Sequence, residues 1–257
     1  MSDNRASAII FNGANKPLIE KKFPVPQKIG SYEAIVKISL ATICSSDVHT
    51  WLGHRPFPTP VILGHEIVGK IVKLGKNLRF DFNGKKLAIG DRITWSMTVS
   101  CQKCFFCKKG LPQKCVNLFK YGHTKSVDNL RLTGGFANFI LIRKGSFIFK
   151  IPNQISDQEA APLMCAGATV ISGLYESNFS KCNFVLVQGC GALGLYACAF
   201  SKQLGAKKVI ALDVKKDRLS LAKEFGADYV INNKHGNNIV EKIKKITKGI
   251  GVDYVIE

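Results

Sequence analysis

Acidic residues are scarce in this sequence of 257 residues, which has 18 Asp and Glu against 37 Lys and Arg. It also lacks an uninterrupted apolar run of about 18 residues, which excludes an ordinary membrane-spanning helix. Its first residues lack the basic-then-apolar layout of a secretory signal. We therefore expect a cytoplasmic protein that has no membrane partner. A hydrophobic content of 46% with 21% charged residues excludes a disordered, collagenous or fibrous chain.

The positive charge is unevenly distributed. Residues 1–155 hold 24 Lys and Arg against 8 Asp and Glu, a net +16, whereas residues 156–257 carry a net +3. A basic half can bind nucleic acid, an anionic surface or a small anion. Lys also greatly outnumbers Arg, and Asn and Ile are common, so drift in codon composition explains the charge equally well.

Two kinds of sequence pattern divide the chain. The first 150 residues contain short β-branched runs punctuated by Gly, Pro and Asn-Gly, which predict strands near 33–40, 67–74, 87–94 and 136–142. After Pro152, residues 156–159 have the pattern of a helix N-terminus, and an Ala-rich helix is predicted to continue to about residue 176. We therefore expect a β-barrel or sandwich-like domain over 1–155 and a second domain over 156–257.

Strands and helices alternate in the second domain. Strands are predicted at 184–188, 209–213, 229–232 and 252–256, with helices at 193–204, 217–225 and 238–247. This alternation is typical of βαβ units around a parallel sheet. A full doubly wound domain has six strands, so we expect a doubly wound domain that is incomplete at its C-terminus, in a chain that is either truncated or naturally short.

A glycine-rich sequence joins the first strand and helix of this domain. Gly189, Gly191 and Gly194 form a G-x-G-x-x-G pattern with Leu193 inside it, and Asp213 ends the next strand. In this context the pattern predicts a pyrophosphate site at a helix N-terminus. A carboxylate at Asp213 favours NAD over NADP. Lys215 and Lys216 follow closely and would reduce the repulsion of a 2′-phosphate, so NADP remains an alternative cofactor. The alternative to any cofactor site is a glycine-rich turn used only for packing.

Six of the nine cysteines fall into two candidate metal sites. The closely spaced cysteines Cys101, Cys104, Cys107 and Cys115 suit a tetrahedral structural Zn²⁺. An iron–sulfur cluster and unliganded thiols are the alternatives. A looser set comprises Cys44, His65, Glu66 and Cys165, whose types suit a catalytic Zn²⁺, but whose spacing alone does not join them.

A resemblance joins this looser set. The order of Cys44–His49, Gly64-His65-Glu66, the four-cysteine lobe, Leu163–Gly167 and the glycine pattern resembles the zinc-dependent medium-chain dehydrogenase/reductase superfamily of alcohol dehydrogenase type. The resemblance implies a GroES-like catalytic barrel followed by a Rossmann domain, two zinc ions per chain, and a nicotinamide cofactor. It implies that Cys44, His65 and Cys165 ligate the catalytic zinc, with Glu66 as an alternate ligand and Asp47 orienting His65.

The same resemblance implies a reaction, the reversible oxidation of an alcohol to an aldehyde or ketone. Ser46 matches the hydroxyl of the proton relay, and His49 matches its imidazole. Segments that include Arg55–Pro60, Arg92–Ser96 and Leu118–His123 are similar to alcohol dehydrogenases associated with phosphonate catabolism. We expect Arg55 to bind an anionic substrate group, with Trp51 and Trp95 as aromatic walls.

Several readings compete with this one. A polyol or threonine dehydrogenase of the same superfamily shares the metal and cofactor residues, and an inactive fragment that binds zinc and NAD has the same sequence features. A nucleic-acid-binding zinc protein is the main alternative of another class. It is disfavoured because the aromatic residues of the cysteine lobe are limited to Phe105, Phe106 and Phe119, within no known binding module. The resemblance also implies a homo-oligomer for a full-length chain.

Overall fold

The computed structural model describes residues 5–126, 132–234 and 238–257. The chain divides into two compact units, Met1–Cys165 and Ala166–Glu257. The division follows Cys165 rather than residue 155, because Ala160 and Ala161 pack with Val68 and Ile151 in an apolar cluster of the first unit. Among the helices in the described ranges, none is long and apolar enough to cross a bilayer.

The first unit is built mainly from strands. Its described strands are β1 (Arg5–Phe11), β2 (Ile19–Pro24), β3 (Ala34–Thr42), β4 (Val61–Ile62), β5 (Glu66–Leu74), β6 (Arg92–Trp95), β7 (Thr98–Val99), β8 (Phe119–Lys120), β9 (Phe139–Ile142) and β10 (Ile148–Lys150). Its described helices are α1 (Ser45–Trp51), α2 (Phe105–Lys108) and α3 (Asp157–Ala160), and 3-10 turns occupy Pro112–Lys114 and Ala161–Met164.

Antiparallel pairing organises these strands. The order β10-β6-β5-β3-β9 forms the largest sheet, β2-β1-β4 forms a second, and β7 pairs with β8. In the largest sheet Val36 of β3 lies opposite Ile71 of β5 on one side and Ile140 of β9 on the other, and all three are buried. Such cross-strand apolar neighbours are what the β-branched runs predict. The β-rich character of the first unit is therefore confirmed.

The second unit is a parallel sheet with helices between its strands. Its elements are α4 (Ala166–Glu176), β11 (Cys182–Gln188), α5 (Ala192–Gln203), β12 (Ala206–Asp213), α6 (Lys216–Glu224), β13 (Tyr229–Asn232), α7 (Ile239–Ile246) and β14 (Tyr254–Ile256). The strand order is β13-β12-β11-β14. Val185 and Val187 pack into one apolar cluster and Leu186 into another, so both faces of β11 are covered. The expected doubly wound arrangement is confirmed.

Two sequence predictions were wrong in detail. The helix expected from 156 to 176 is interrupted, because α3 gives way to the 3-10 turn and Cys165 has non-helical backbone angles of φ −121° and ψ −78°. The strand expected to begin at residue 87 begins at Arg92. Gly90, with φ +92°, and Asp91, whose side chain accepts a hydrogen bond from the N–H of Ala88 at 2.7 Å, form a turn before it.

Candidate metal centres and glycine loop

Four side chains from separate parts of the first unit converge. The potential ligand atoms of Cys44, His65, Glu66 and Cys165 all lie within 4.8 Å of one another. Cys44 directly precedes α1, His65 precedes β5, and Cys165 occupies the interruption between the 3-10 turn and α4. The fold therefore brings together the set that spacing alone did not join.

Asp47 connects the two loops that carry Cys44 and His65. Its Oδ2 accepts a hydrogen bond from the backbone N–H of Cys44 at 3.0 Å. Its Oδ1 accepts one from the N–H of Gly64 at 3.3 Å and lies 3.3 Å from Nδ1 of His65. Asp47 is itself buried. A carboxylate against the nitrogen of an imidazole fixes the orientation of the ring, as is common around metal-bound histidines.

The charges of this cluster fit a cation. The hydrogen bond from Cys165 and the neighbouring His65 lower the pKa of Cys44 to about 3, and the contact with Cys44 raises the pKa of Cys165. Burial opposes the charging of His65, but Asp47 and Cys44 outweigh it and raise the pKa of His65 to about 9. A divalent cation that displaced the protons of Cys165 and His65 would be held by two sulfurs and one nitrogen, a donor set that suits catalytic zinc.

Glu66 provides an oxygen beside these three donors. Its carboxylate is buried and accepts a hydrogen bond from Oγ1 of Thr42 at 2.5 Å. Burial raises the pKa of Glu66, and the nearby Cys44 thiolate adds to this rise. A buried carboxylate at this position can act as a fourth metal ligand or remain hydrogen-bonded to Thr42.

The four cysteines of the lobe around α2 form a second cluster. The sulfurs of Cys101, Cys104, Cys107 and Cys115 also lie within 4.8 Å of one another. The Sγ of Cys115 accepts hydrogen bonds from the N–H groups of Cys101 at 3.2 Å and Asn117 at 3.4 Å. The N–H groups of Cys107 and Val116 lower the pKa of Cys104 to about 6. Four thiols with N–H donors to sulfur are suited to a tetrahedral Zn²⁺ that has no open position.

The residues predicted for proton relay lie on α1. Oγ of Ser46 is 3.3 Å from Nε2 of His65, on the side of that ring away from Asp47. His49 is exposed, and its Nδ1 is 3.1 Å from Nδ1 of His54, a residue outside the predicted site residues. At that distance one of the two Nδ1 atoms must donate and the other accept.

Arg55 is held by neutral partners. Its Nε donates to Oγ1 of Thr50 at 3.0 Å, and its guanidinium lies 5.4 Å from the ring centroid of Phe57. Its Nη2 lies 3.2 Å from Nε2 of His123, a second residue outside the predicted site residues. Burial, together with the positive charges of His65 and Arg55, lowers the pKa of His123 to about 4. The ring centroids of His123 and His65 are 4.7 Å apart.

The two tryptophans lie in different surroundings. Trp51 is 49% exposed and lines an apolar pocket of about 190 Å³ together with Phe11, Val48 and Phe136. Trp95 is 1% exposed and lies in the core of the first unit, where its ring packs edge-on against Tyr121. A side chain so enclosed packs the interior rather than lining an open substrate pocket. This corrects the interpretation of Trp95 as a substrate-wall residue.

The glycine pattern forms the loop between β11 and α5. Gly189 has φ +87°, and a Cβ on Gly194 would lie 1.8 Å from the carbonyl oxygen of Gly189, so the loop requires glycine at both positions. Gly191 is the N-cap of α5, and space is open where its Cβ would be. Leu193 is half exposed in the first turn of α5. This geometry leaves backbone N–H groups available for an anion at the helix N-terminus.

Asp213 stands beside this loop. Its Oδ2 accepts a hydrogen bond from the N–H of Cys190 at 2.7 Å, and its Oδ1 accepts one from the N–H of Lys215 at 2.9 Å. These N–H groups lower the pKa of Asp213 against the effect of burial. Arg218 lies 3.8 Å from the same carboxylate. An ionised acid and a nearby cation therefore both face the end of β12.

Comparisons with known proteins cover most of the chain. A family described as alcohol dehydrogenase GroES-like domain matches residues 30–153, and one described as zinc-binding dehydrogenase matches residues 192–257. The chain is 34% identical over 243 residues to a sorbitol dehydrogenase of Halalkalibacterium halodurans, covering 93% of this chain and 64% of that protein. It is also 34% identical over 233 residues to a D-arabitol-phosphate dehydrogenase of Enterococcus avium, covering 88% and 60%.

A solved structure is similar over almost the same span. The crystal structure of an alcohol dehydrogenase from Thermotoga maritima superposes with a TM-score of 0.90 at 32% identity, over 98% of this chain and 70% of that one. The chain spans 58% to 66% of the length of the first curated relatives that it matches.

Proposed function

The chain belongs to the zinc-dependent medium-chain dehydrogenase/reductase superfamily of alcohol dehydrogenase type, and we propose that it interconverts an alcohol and its aldehyde or ketone by hydride transfer to a nicotinamide cofactor. The observation that carries this proposal is the convergence of Cys44, His65, Glu66 and Cys165 within 4.8 Å. Two thiols and an imidazole at such distances form the three-residue donor set of a catalytic zinc, and the Glu66 carboxylate would exchange with a substrate oxygen at the fourth position.

The chemistry is divided between the bound groups and the chain. When bound, zinc supplies the Lewis acidity that lowers the pKa of an alcohol, and nicotinamide supplies the hydride acceptor. Asp47 keeps the ring of His65 oriented, and Ser46 is positioned 3.3 Å from Nε2 of that ring to accept the proton of the alcohol. His49 is exposed, so it can pass a proton to solvent.

The preferred cofactor is NAD. The ionised Asp213 at the end of β12 would accept hydrogen bonds from ribose hydroxyls and repel a 2′-phosphate. The cations Lys215, Lys216 and Arg218 nearby act in the opposite direction, and NADP is the alternative that they favour. Gly189, Gly191 and Gly194 would hold the pyrophosphate against the N-terminus of α5.

The preferred substrate is an alcohol that carries an anionic group, such as a phosphonate or phosphate. Arg55 supports this choice, because guanidinium groups bind such oxyanions through paired hydrogen bonds. The similarity to a D-arabitol-phosphate dehydrogenase also supports it. A neutral polyol is the second candidate, favoured by the similarity to a sorbitol dehydrogenase.

We also propose a cytoplasmic location and a homo-oligomeric state for the whole protein. None of the nine cysteines, all of which lie in the described residues, forms a disulfide, which fits a reducing compartment. The oligomeric state follows the resemblance to the superfamily.

Metal analysis combined with a substrate screen tests the proposed function. We expect two zinc ions per chain, one for each cluster, and reduction of NAD⁺ by at least one alcohol. Cys44→Ser should lose one zinc and turnover, Cys104→Ser should lose the other zinc, and Cys182→Ser, in β11 outside both clusters, should lose neither. Full zinc and wild-type turnover in Cys44→Ser would show that the proposal is wrong.

A further inference from the structure

We infer that His123 and Thr50 hold Arg55 as a fixed cation beside the catalytic metal centre, forming a subsite for the phosphate, phosphonate or carboxylate group of the substrate. The inference rests on the proposed function for the identity of the metal centre. It adds His123 as a positioning residue, a role that neither the spacing of the sequence motifs nor the proposed reaction assigns to it.

The hydrogen bonds around His123 define its tautomer. Its Nδ1 lies 3.1 Å from the carbonyl oxygen of Tyr121, which can only accept, so Nδ1 must carry the proton. Its Nε2 lies 3.2 Å from Nη2 of Arg55, which can only donate, so Nε2 must offer a lone pair. His123 is therefore a neutral acceptor for the guanidinium.

Thr50 fixes the other edge of the guanidinium in the same way. Its hydroxyl donates to the carbonyl oxygen of Ser46 at 2.8 Å and accepts from Nε of Arg55 at 3.0 Å. Thr50 is buried in α1, so this arrangement has little freedom to change. Two neutral acceptors, each with its own proton committed elsewhere, thus determine the orientation of Arg55.

The backbone brings this cation close to the metal ligands. A Cβ on Gly122 would lie 2.4 Å from the carbonyl oxygen of Gly64, so only glycine allows the two segments to approach so closely. This close approach places the ring centroid of His123 4.7 Å from the ring centroid of His65. One imidazole therefore separates the guanidinium from a ligand of the proposed zinc.

The charge of Arg55 is uncompensated within the described part of the chain. No carboxylate among residues 5–126, 132–234 and 238–257 forms an ion pair with it, and its partners there are the neutral groups of Thr50 and His123 together with the ring of Phe57. Removing a cation partly from water without a counter-charge is unfavourable. A bound oxyanion would supply the missing charge and accept hydrogen bonds from the remaining N–H groups of the guanidinium.

Anion binding to the zinc-loaded protein provides a test that does not depend on turnover. Inorganic phosphate, methylphosphonate and acetate are each titrated into the zinc-loaded protein by calorimetry. Comparing the three affinities shows which class of oxyanion the subsite prefers. We expect Arg55→Lys and His123→Phe each to weaken binding of the preferred anion about tenfold, because a charged hydrogen bond or its alignment is lost. His123→Gln, which retains an acceptor, should stay within about threefold.

Two controls separate positioning from general effects. Lys125→Ala removes an exposed cation from the same segment as His123 and should leave anion binding unchanged. Zinc content should be the same in all variants. Steady-state kinetics should then show a raised KM of His123→Phe for a phosphate-bearing alcohol and an unchanged KM for its neutral counterpart.

The outcomes distinguish this inference from the proposed function. Anion binding that is absent in the wild type, or equal in the wild type, Arg55→Lys and His123→Phe, overturns the subsite even if neutral alcohols are oxidised. Anion binding that requires both residues supports the subsite even if no alcohol is oxidised, and in that case the proposed reaction alone fails.

Discussion

Oδ1 of Asp47 lies 3.3 Å from Nδ1 of His65, and both side chains are buried. The same carboxylate accepts the backbone N–H of Cys44 and that of Gly64. One side chain thus holds the two loops that present a sulfur and a nitrogen to the metal centre. The acid belongs to the functional site although it donates no ligand.

Asp47→Asn should therefore weaken metal binding without removing a ligand. The amide retains an oxygen acceptor but not the charge that faces the imidazole, so we expect zinc affinity at this centre to fall about 10- to 100-fold. Competition with a chromophoric chelator measures the affinity. Asp91→Asn, which removes a carboxylate paired with Lys150, is the matched control and should keep wild-type affinity. Equal affinities in all three proteins would contradict the orienting role of Asp47.

Two alanine substitutions in the glycine loop should impair different properties, one the stability and the other the binding of NAD. Gly194→Ala places a Cβ 1.8 Å from the carbonyl oxygen of Gly189 and so disturbs the chain itself, whereas Gly191→Ala meets open space. We expect Gly194→Ala to lower the free energy of unfolding of the second unit by about 1–3 kcal/mol through overpacking. Gly191→Ala should keep stability but bind NAD more weakly, because a methyl group occupies the space where a pyrophosphate would approach.

Urea denaturation and a fluorescence titration with NADH check this pair. A Gly191→Ala protein with wild-type stability and wild-type NADH affinity would contradict the interpretation of the loop as a pyrophosphate site. A destabilised Gly191→Ala would instead contradict the open space that the structure shows at this position.

Local sequence rules predicted the second unit well. Helix α5 runs over Ala192–Gln203 where 193–204 was expected, and β13 occupies the expected residues Tyr229–Asn232. Both follow from apolar periodicity and turn residues within a short window. The gap at Cys165 was not predicted, because the Ala-rich composition on both sides favours helix and the 3-10 turn around Pro162 is a local exception.

The positions of some residues in the candidate site could not be predicted from local sequence rules. His123 ends a segment that carries the family resemblance, but nothing in that segment indicates a contact with Arg55. Its position depends on the close approach of Gly122 to Gly64, two residues far apart in sequence. The signal available was Gly122 itself, because a glycine beside a histidine can mark a close backbone contact. Likewise, nothing local separates the buried Trp95 from the exposed Trp51.

Asp228 should make the stability of the second unit depend on pH. Burial alone would raise its pKa, but the N–H of Val209 and the ammonium groups of Lys208 and Lys202 outweigh it and lower the pKa. A carboxyl group whose pKa is lower in the folded state stabilises the fold above its unfolded pKa of about 3.9, and the stabilisation is lost as the pH falls through the folded value.

Asp228→Asn should accordingly reduce the free energy of unfolding by about 1–3 kcal/mol near neutral pH, since hydrogen bonds to a charged group are lost. The difference from the wild type should stay constant between about pH 5 and 8 and shrink below about pH 4. Urea denaturation across this range measures it. A difference that grows on acidification would show that the ionised form of Asp228 does not stabilise the fold.

Substitutions of the two tryptophans should affect the free energy of unfolding very differently. Trp95 is 1% exposed in the core of the first unit, so Trp95→Ala should lower the free energy of unfolding by about 3–5 kcal/mol. Trp51 is 49% exposed, so Trp51→Ala should cost less than about 1 kcal/mol. Trp95→Phe should fall between these values, because it leaves a cavity but also removes an indole N–H that is buried with no partner in the described chain. Denaturant unfolding of the three zinc-loaded variants ranks their stabilities. A Trp95→Ala protein as stable as Trp51→Ala would show that Trp95 lies outside the core, and Trp95 would again be a candidate for the wall of the substrate pocket.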